Sequence, residues 1–428
     1  MHRRRFCAAA VLIAGFATVC VADWTSFRGP NFNGITDEKV AWPSGGPRQL
    51  WKVPCGEGFG TMAVANGKVF VTAEGGGQEA LLALDAKDGS AKWHYVIGRT
   101  IYERQGGNGP RTTPAVDGKL VFAYGTFLNL VCCDAESGKF LWGHEVAKEF
   151  GGDPELSAND IKSWGNAASP VFDDKCVFVY GGGNGQSFIA FDKQSGNVVW
   201  KTGNEHLTHS SPTIATIHGV RQIIFLTKSG LVSLATADGK ELWRFPFKFN
   251  ISTASSPVVS GKDGDVVYCT AGYKVGAAAA RIIKDGERFT ATQIWRNDDA
   301  QLLAQHWSSS VYKDGYLYGI FGWARPGDAP LKCVELESGK VMWEKPGFGF
   351  GGTILAGDTL VVQGSTGQVA FVKPTPQGYQ AVGGGNVFQN AKCWNAAVVS
   401  NGRLYARTTK GQNSRESGSI ICLDVSTR

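Results

Sequence analysis

Short runs of apolar residues, broken by Gly, Asp and Ser, recur along the chain from about residue 48 onward. Examples are LVFAY (Leu120–Tyr124), KCVFVY (Lys175–Tyr180) and VVYCTAG (Val266–Gly272). Runs of this length and β-branched content suit strands packed between adjacent sheets. Helical periodicity is nearly absent. Only Glu149 to Lys162 offers a short helix or an irregular insertion. The pattern predicts an all-β chain of many short strands.

The runs are organised by an internal repeat. One element reads D-x-x-x-G-x-x-x-W: Asp85 to Trp93, Asp134 to Trp142 and Asp192 to Trp200. It recurs with Ala235 ahead of Trp243 and with Glu335 ahead of Trp343, and a degenerate copy ends at Trp295. A second element precedes each copy: a small polar pair, a strand, a turn and another strand. Eight starts fall near Thr61, Thr112, Ala168, Ser210, Ser255, Ser308, Gly352 and Asn395. A period near 50 residues matches a four-stranded propeller blade, so the expected fold is an eight-bladed β-propeller.

The residue types explain themselves in that geometry. The leading Asp bonds the amides of the turn that follows. Gly four residues on supplies a positive φ for a bulged hairpin, and Trp four residues later buries its ring between neighbouring blades. Trp51 has this ending without the strands before it, and the last repeat, through Ile420–Asp424, lacks its Trp strand. The segment around Leu50-Trp51-Lys52 is therefore expected to complete blade 8 and close the ring, leaving no free edge between blades 8 and 1. Residues 23–40 hold no repeat strand and are expected to be dispensable by comparison.

Composition refines this picture. Gly is 57 of 428 residues and Pro only 16, which suits tight turns and excludes collagen. Charged residues are 19% and hydrophobic ones 43%, as in a packed globular protein. Residues 1–22 form a basic start (His2, Arg3, Arg4, Arg5), an apolar run to Val21 and a small Ala22, the pattern of a signal peptide cut before Asp23. Arg3-Arg4-Arg5-Phe6 also partly matches a twin-arginine signal. Without Arg3, Arg4 and Arg5 the 43 basic residues become 40 against 37 acidic ones, so nothing in the charge favours nucleic acid or an anionic membrane. The expected layout is a leader (1–22), an N-terminal arm (23–47) and the propeller (48–428). The expected location is periplasmic or secreted, and the expected state monomeric.

Eight cysteines follow the leader, none in a zinc-binding spacing, so no metal site is expected from them. Cys55 lies just after the outer strand of blade 8 and Cys393 just before its inner strand. In an oxidising compartment these two are the candidate disulfide, with two free thiols in neighbouring loops as the alternative.

These motifs resemble the quinoprotein-type, PQQ-binding-like β-propeller repeat, shared by pyrroloquinoline-quinone (PQQ) dehydrogenases and cofactor-free relatives. Exported proteins of that kind begin with W-x-x-F-R-G-P, here Trp24 to Pro30, followed by WP-x-GGP-x-x-LW, here Trp42 to Trp51. The chain also resembles the propeller subunit of the outer-membrane β-barrel assembly machinery. The resemblance covers essentially the whole chain after the leader. It implies the fold far more than the function, since fold alone does not fix activity.

Three functions fit. The first is a periplasmic scaffold or recognition module without chemistry, whose partner is an envelope protein and which needs no cofactor. The second is a carbohydrate-binding or carbohydrate-active propeller. The third, implied by the resemblance, is a PQQ-dependent dehydrogenase with calcium. Its adjacent-cysteine disulfide would have to be Cys132-Cys133, yet neighbours on one strand face opposite ways.

Any ligand is expected at the channel mouth where outer strands hand over to the next blade. Those segments carry Glu57, Arg111, Trp164, Asn166, His209, Asn250, His306, Trp307, Trp394 and Asn395. Three Trp, two His, an Arg and amides suit stacking on sugar rings and bonding their hydroxyls. Trp164, Trp307 and Trp394 are expected to surround a ligand. Arg111, His209 and His306 would supply charge or proton transfer, the histidines near their ordinary pKa of about 6.5. As mouth residues they are expected to be exposed.

Overall fold

The computed structural model describes residues 22–103, 106–154, 164–249, 251–299, 302–322, 329–389, 391–410 and 418–427. The expected leader up to Val21 lies outside these, as does Asn250. No helix among the described residues is long and apolar enough to cross a membrane.

Eight antiparallel sheets follow one another in chain order, each with four propeller strands running from the channel outward. Their inner strands start where the small polar pairs predict, from Ala63–Ala65 in blade 1 to Val398–Ser400 in blade 8. The ring closes as expected. Arg48–Pro54 pairs with Ser419–Asp424, with Trp51 opposite Cys422. Between blades 2 and 3 a five-residue helix, Val146–Phe150, ends at Gly151. It begins ahead of the stretch expected to hold a helix, most of which lies outside the described residues.

The outer rim shows why the repeat carries Gly and Trp. Trp93 of blade 1 lies over Gly138 of blade 2, and its Nε1 donates to the Ala135 carbonyl at 3.3 Å. Gly138 has φ +73°, and a Cβ there would sit 2.5 Å from the indole. The same contact joins Trp51 to Gly89, Trp142 to Gly196, Trp200 to Gly239 and Trp295 to Gly339. The leading Asp holds each turn as expected: Asp134 Oδ1 accepts from the Ser137 amide at 2.8 Å.

Three junctions depart from the rule. Trp343 of blade 6 donates to the Thr375 carbonyl of blade 7 at 2.7 Å but lies on no Gly among the described residues. Blade 5 turns at Gly286 between ten-residue strands, beyond where the repeat turn would lie. Trp243 therefore bonds Gln222 of its own blade at 2.7 Å. Blade 7 has no Trp in its outer strand, Ala381–Asn386. Trp42 of the N-terminal arm lies against Gly383 and Gly385 of that strand and meets Phe371 edge-on at 5.5 Å.

The arm corrects the expectation that residues 23–40 are dispensable. Trp24 exchanges backbone hydrogen bonds with Val64 of blade 1, both 2.8 Å. The Thr25 carbonyl accepts from Val116 of blade 2, and Phe32 packs edge-on against Phe172 of blade 3. Ile35–Thr36 then adds a parallel strand to the inner edge of blade 7. The segment crosses the channel and buries Trp24, Phe32 and Val40. A sequence without a repeat strand thus forms the floor of the ring.

Candidate functional site

The small polar pairs that open each blade build the channel wall. In blades 2 and 6 the first residue of the pair ties it to its own blade: Thr112 Oγ1 donates to the Tyr124 carbonyl at 2.7 Å and Ser308 Oγ to that of Ile320 at 2.7 Å. The second hydroxyl ties blade to blade. Thr61 N donates to Thr113 Oγ1, Thr113 N to Ser169 Oγ, and Ser169 N to Ser211 Oγ, at 2.9–3.0 Å. Ser256 N repeats this with Ser309 Oγ at 2.9 Å. Hydroxyl and amide satisfy each other, so most of the wall is complete by itself.

Above the wall lies a cavity of about 300 Å³ to which all eight blades contribute. That is the small end of the range for ligand pockets. Its floor is the arm, with Trp24, Phe27 and Arg28; its upper wall includes Phe59, Arg111, Trp164, His209, Tyr273 and His306. Trp307, Trp394 and Asn395 also line it. Seven of the ten residues singled out from sequence therefore converge here. Asn166 does not. It is buried and spent on the Gly125, Thr126 and Ala168 backbone. Glu57 pairs its backbone with Glu74 and is outside the lining.

The aromatic arrangement differs in part from expectation. Trp307 and Trp394 stack on each other at 4.9 Å and 23°, and Trp307 meets Phe350 edge-on at 4.7 Å. They form one wall, while Trp164 stands beside His209 at 5.8 Å. Lys392 Nζ caps Trp394 at 3.8 Å. Burial and the neighbouring Arg111 lower this amine to about 8.

The histidines are not exposed. His209 is 5% accessible and His306 7%. Burial pushes His209 down to about 4 and His306 to about 3, with Arg111 and His209 respectively adding repulsion. Both rings are neutral at pH 7, which corrects the expected value near 6.5. A neutral buried imidazole is a hydrogen-bond partner with a fixed tautomer, not a charge. The Gly165 main chain bonds the His209 ring, and Nε2 is left without a partner.

Other buried polar atoms in the lining share that state: His306 Nδ1, Trp307 Nε1, Trp24 Nε1 and Thr353 Oγ1. Such groups are rare in a finished core, because each costs about 1–3 kcal/mol when unsatisfied.

Sequence reasoning missed the floor and parts of the rim. Trp24, Phe27 and Arg28 sit in the W-x-x-F-R-G-P segment, a signal visible only as a family signature. Arg28 is buried and lowered to about 10 by desolvation. Arg407 carried no signal at all: its Nη1 donates to the Gly60 carbonyl at 2.6 Å, beside the Cys55 thiol.

The structure does not form the candidate bridge. Cys55 and Cys393 are unbridged and lie in one apolar cluster, and the Cys55 Sγ is directed at the Gly56 carbonyl at 3.6 Å. Cys132 and Cys133 are also free and buried, Cys132 facing the core between blades 2 and 3 and Cys133 that between blades 1 and 2. Among the described residues no group of three His, Cys, Asp or Glu could hold a metal ion.

Comparison with curated proteins found no match. In fold the chain is similar to the quinohemoprotein alcohol dehydrogenase of Comamonas testosteroni, with a TM-score of 0.61, 12% identity, and 95% of this chain and 81% of that one covered. It is also similar to the quinohemoprotein alcohol dehydrogenase ADHIIG of Pseudomonas putida HK5, with a TM-score of 0.59, 12% identity and coverage of 94% and 80%. The computationally designed Ika8 protein gives 0.57, 10% identity and coverage of 88% and 100%. At such identities the likeness is one of fold. The profile described as "Outer membrane protein assembly factor BamB" matches residues 33–103 and 97–318, more than half of the chain. With the eight Trp-docked blades, this shows that the chain belongs to that PQQ-like repeat family.

Proposed function

We propose that this protein is an exported recognition propeller of the cell envelope that holds a small saccharide in its central cavity. One observation carries the reading. Trp24, His209, His306 and Trp307, which line one aromatic-walled cavity, carry buried polar atoms without partners, while most of the wall below satisfies itself. A scaffold alone has no use for these orphans, whereas a ring of hydroxyls meets both indole N–H donors and imidazole nitrogens. Trp164 on one side and the Trp307–Trp394 pair on the other suit the faces of a pyranose.

The likeness to quinohemoprotein dehydrogenases keeps a PQQ enzyme as the alternative. The donor set does not fit it. A hard cation such as calcium wants carboxylate oxygens, and no Asp or Glu among the described residues lines the cavity. Cys132 and Cys133 are buried in the blades, away from the lining.

The test is calorimetric titration and thermal melting of the purified protein with a panel of mono- and disaccharides. At least one should bind and raise the melting temperature, and Trp164→Ala should abolish that binding. If no saccharide binds, the reading fails. Uptake of added PQQ and calcium with dye-reducing activity would establish the dehydrogenase instead.

A further inference from the structure

Charge narrows the class of saccharide. Among the described residues two arginines line the cavity and no acid does. Arg28, on the floor, is 7% exposed. Its Nε and Nη2 donate to the carbonyls of Phe32, Asn33 and Ser310 at 3.4, 2.8 and 2.7 Å, and no carboxylate among the described residues pairs with it. A guanidinium buried without a counter-ion is costly unless an anion completes it.

The rim is also rich in cations. Arg111 bonds the Gly109 and Gly107 carbonyls and lies 3.7 Å from Glu103. That carboxylate is held by the Gly106 amide and lies outside the lining. Lys392 lies within 5.1 Å of the same Phe59 ring that Arg111 approaches at 5.2 Å. Glu79, the other acid that acts on Arg111, is taken up by the amide and hydroxyl of Thr126. The unpartnered indole N–H groups of Trp24 and Trp307 are obligate donors and add to the demand for acceptors.

We propose that the cavity takes an acidic monosaccharide, a uronate, with its carboxylate on Arg28 and its ring hydroxyls among His209, His306 and the two indole N–H groups. This rests on the saccharide reading above. A charge-assisted bond is roughly twice as strong as a neutral one, so the acid should outbind its neutral parent by about tenfold or more.

Titration calorimetry of the full chain at pH 7 and low salt, with glucuronate against glucose and galacturonate against galactose, tests this. The expected result is tighter binding of at least one acid than of its neutral partner, a preference that Arg28→Gln removes and Lys139→Gln, exposed on the outer rim and outside the lining, keeps. Should Arg28→Gln fail to fold, 0.5 M NaCl on the wild type replaces it and should weaken the acid but not the neutral sugar. Equal binding within both pairs, or binding of neutral sugars only, overturns the acidic-sugar proposal and leaves the saccharide reading standing. Arg28→Gln protein that folds and keeps the preference overturns the role of Arg28. No binding by any of the four sugars, with none in the neutral panel, overturns both readings.

Discussion

At the rim of the ring, blade after blade makes one contact: a Trp laid on a Gly of the next blade, its indole N–H on a backbone carbonyl. At the mouth most blades contribute differently. Blade 2 sends Arg111, blade 3 Trp164, blade 4 His209 and blade 6 the His306-Trp307 pair. The rim contacts are satisfied, whereas the mouth holds buried donors without partners. The contrast teaches where selection for folding ends. Interactions that hold the ring repeat because every junction poses the same packing problem, and side chains that break the repeat have another purpose.

The largest expected effect comes from the arm, which serves both regions. Deleting residues 23–52 removes the outer strand of blade 8 and exposes an edge, so the product should aggregate. Deleting only 23–40 should also be severe, because it strips Trp24, Phe32 and the strand on blade 7 from the channel. Size-exclusion chromatography with thermal melting checks both. A shorter deletion that melts like the parent would show the floor to be ornamental.

A matched pair of glycine substitutions sharpens the account of the rim. Gly138 and Gly67 have nearly the same φ, +73° and +71°. A Cβ at Gly138 would strike Trp93, whereas at Gly67 nothing lies within 4 Å. Gly138→Ala should cost about 2–5 kcal/mol, combining backbone strain with overpacking. Gly67→Ala should cost about 1–2 kcal/mol from strain alone. Denaturant unfolding of both variants measures the difference. Equal losses would mean that the Trp docking does not need the Gly.

At the mouth the effect should appear in pH dependence. His209 and His306 titrate lower when folded, at about 4 and 3, than the ordinary value of about 6.5. The unfolded chain therefore takes up protons first. Stability should be full above about pH 6.5 and should fall as the pH drops toward the folded values. The double variant His209→Asn/His306→Asn should show a flatter melting temperature between pH 6.5 and 5 than the wild type. Identical slopes would mean that the rings are not buried as neutral imidazoles.

The smallest effect concerns the cysteines. All eight from Cys55 to Cys422 are buried and form no disulfide in the structure. Adding dithiothreitol should leave the melting temperature unchanged, and a marked drop would reveal a bridge.

Blade number, blade starts, ring closure by Trp51 and the purpose of the Gly and Trp positions were all legible in the chain. Each follows from local chemistry: a turn needs a residue with positive φ, a strand needs covering faces, and neither depends on distant residues. Convergence of Arg111, Trp164, His209 and Trp394 on one mouth was also legible, because a repeat places equivalent positions on one face. What stayed hidden depends on contacts between residues far apart in sequence. Nothing local says that Trp42 completes blade 7, that Arg28 lies on the floor beneath the mouth, or that Asn166 turns inward to the backbone. Burial of His209 and His306, and with it their loss of charge, exists only once eight blades and the arm enclose them. The sequence by itself determined the ring, whose contacts recur with the repeat, and only the tertiary structure decided the cavity, whose burial depends on all eight blades and on the arm that closes it from below.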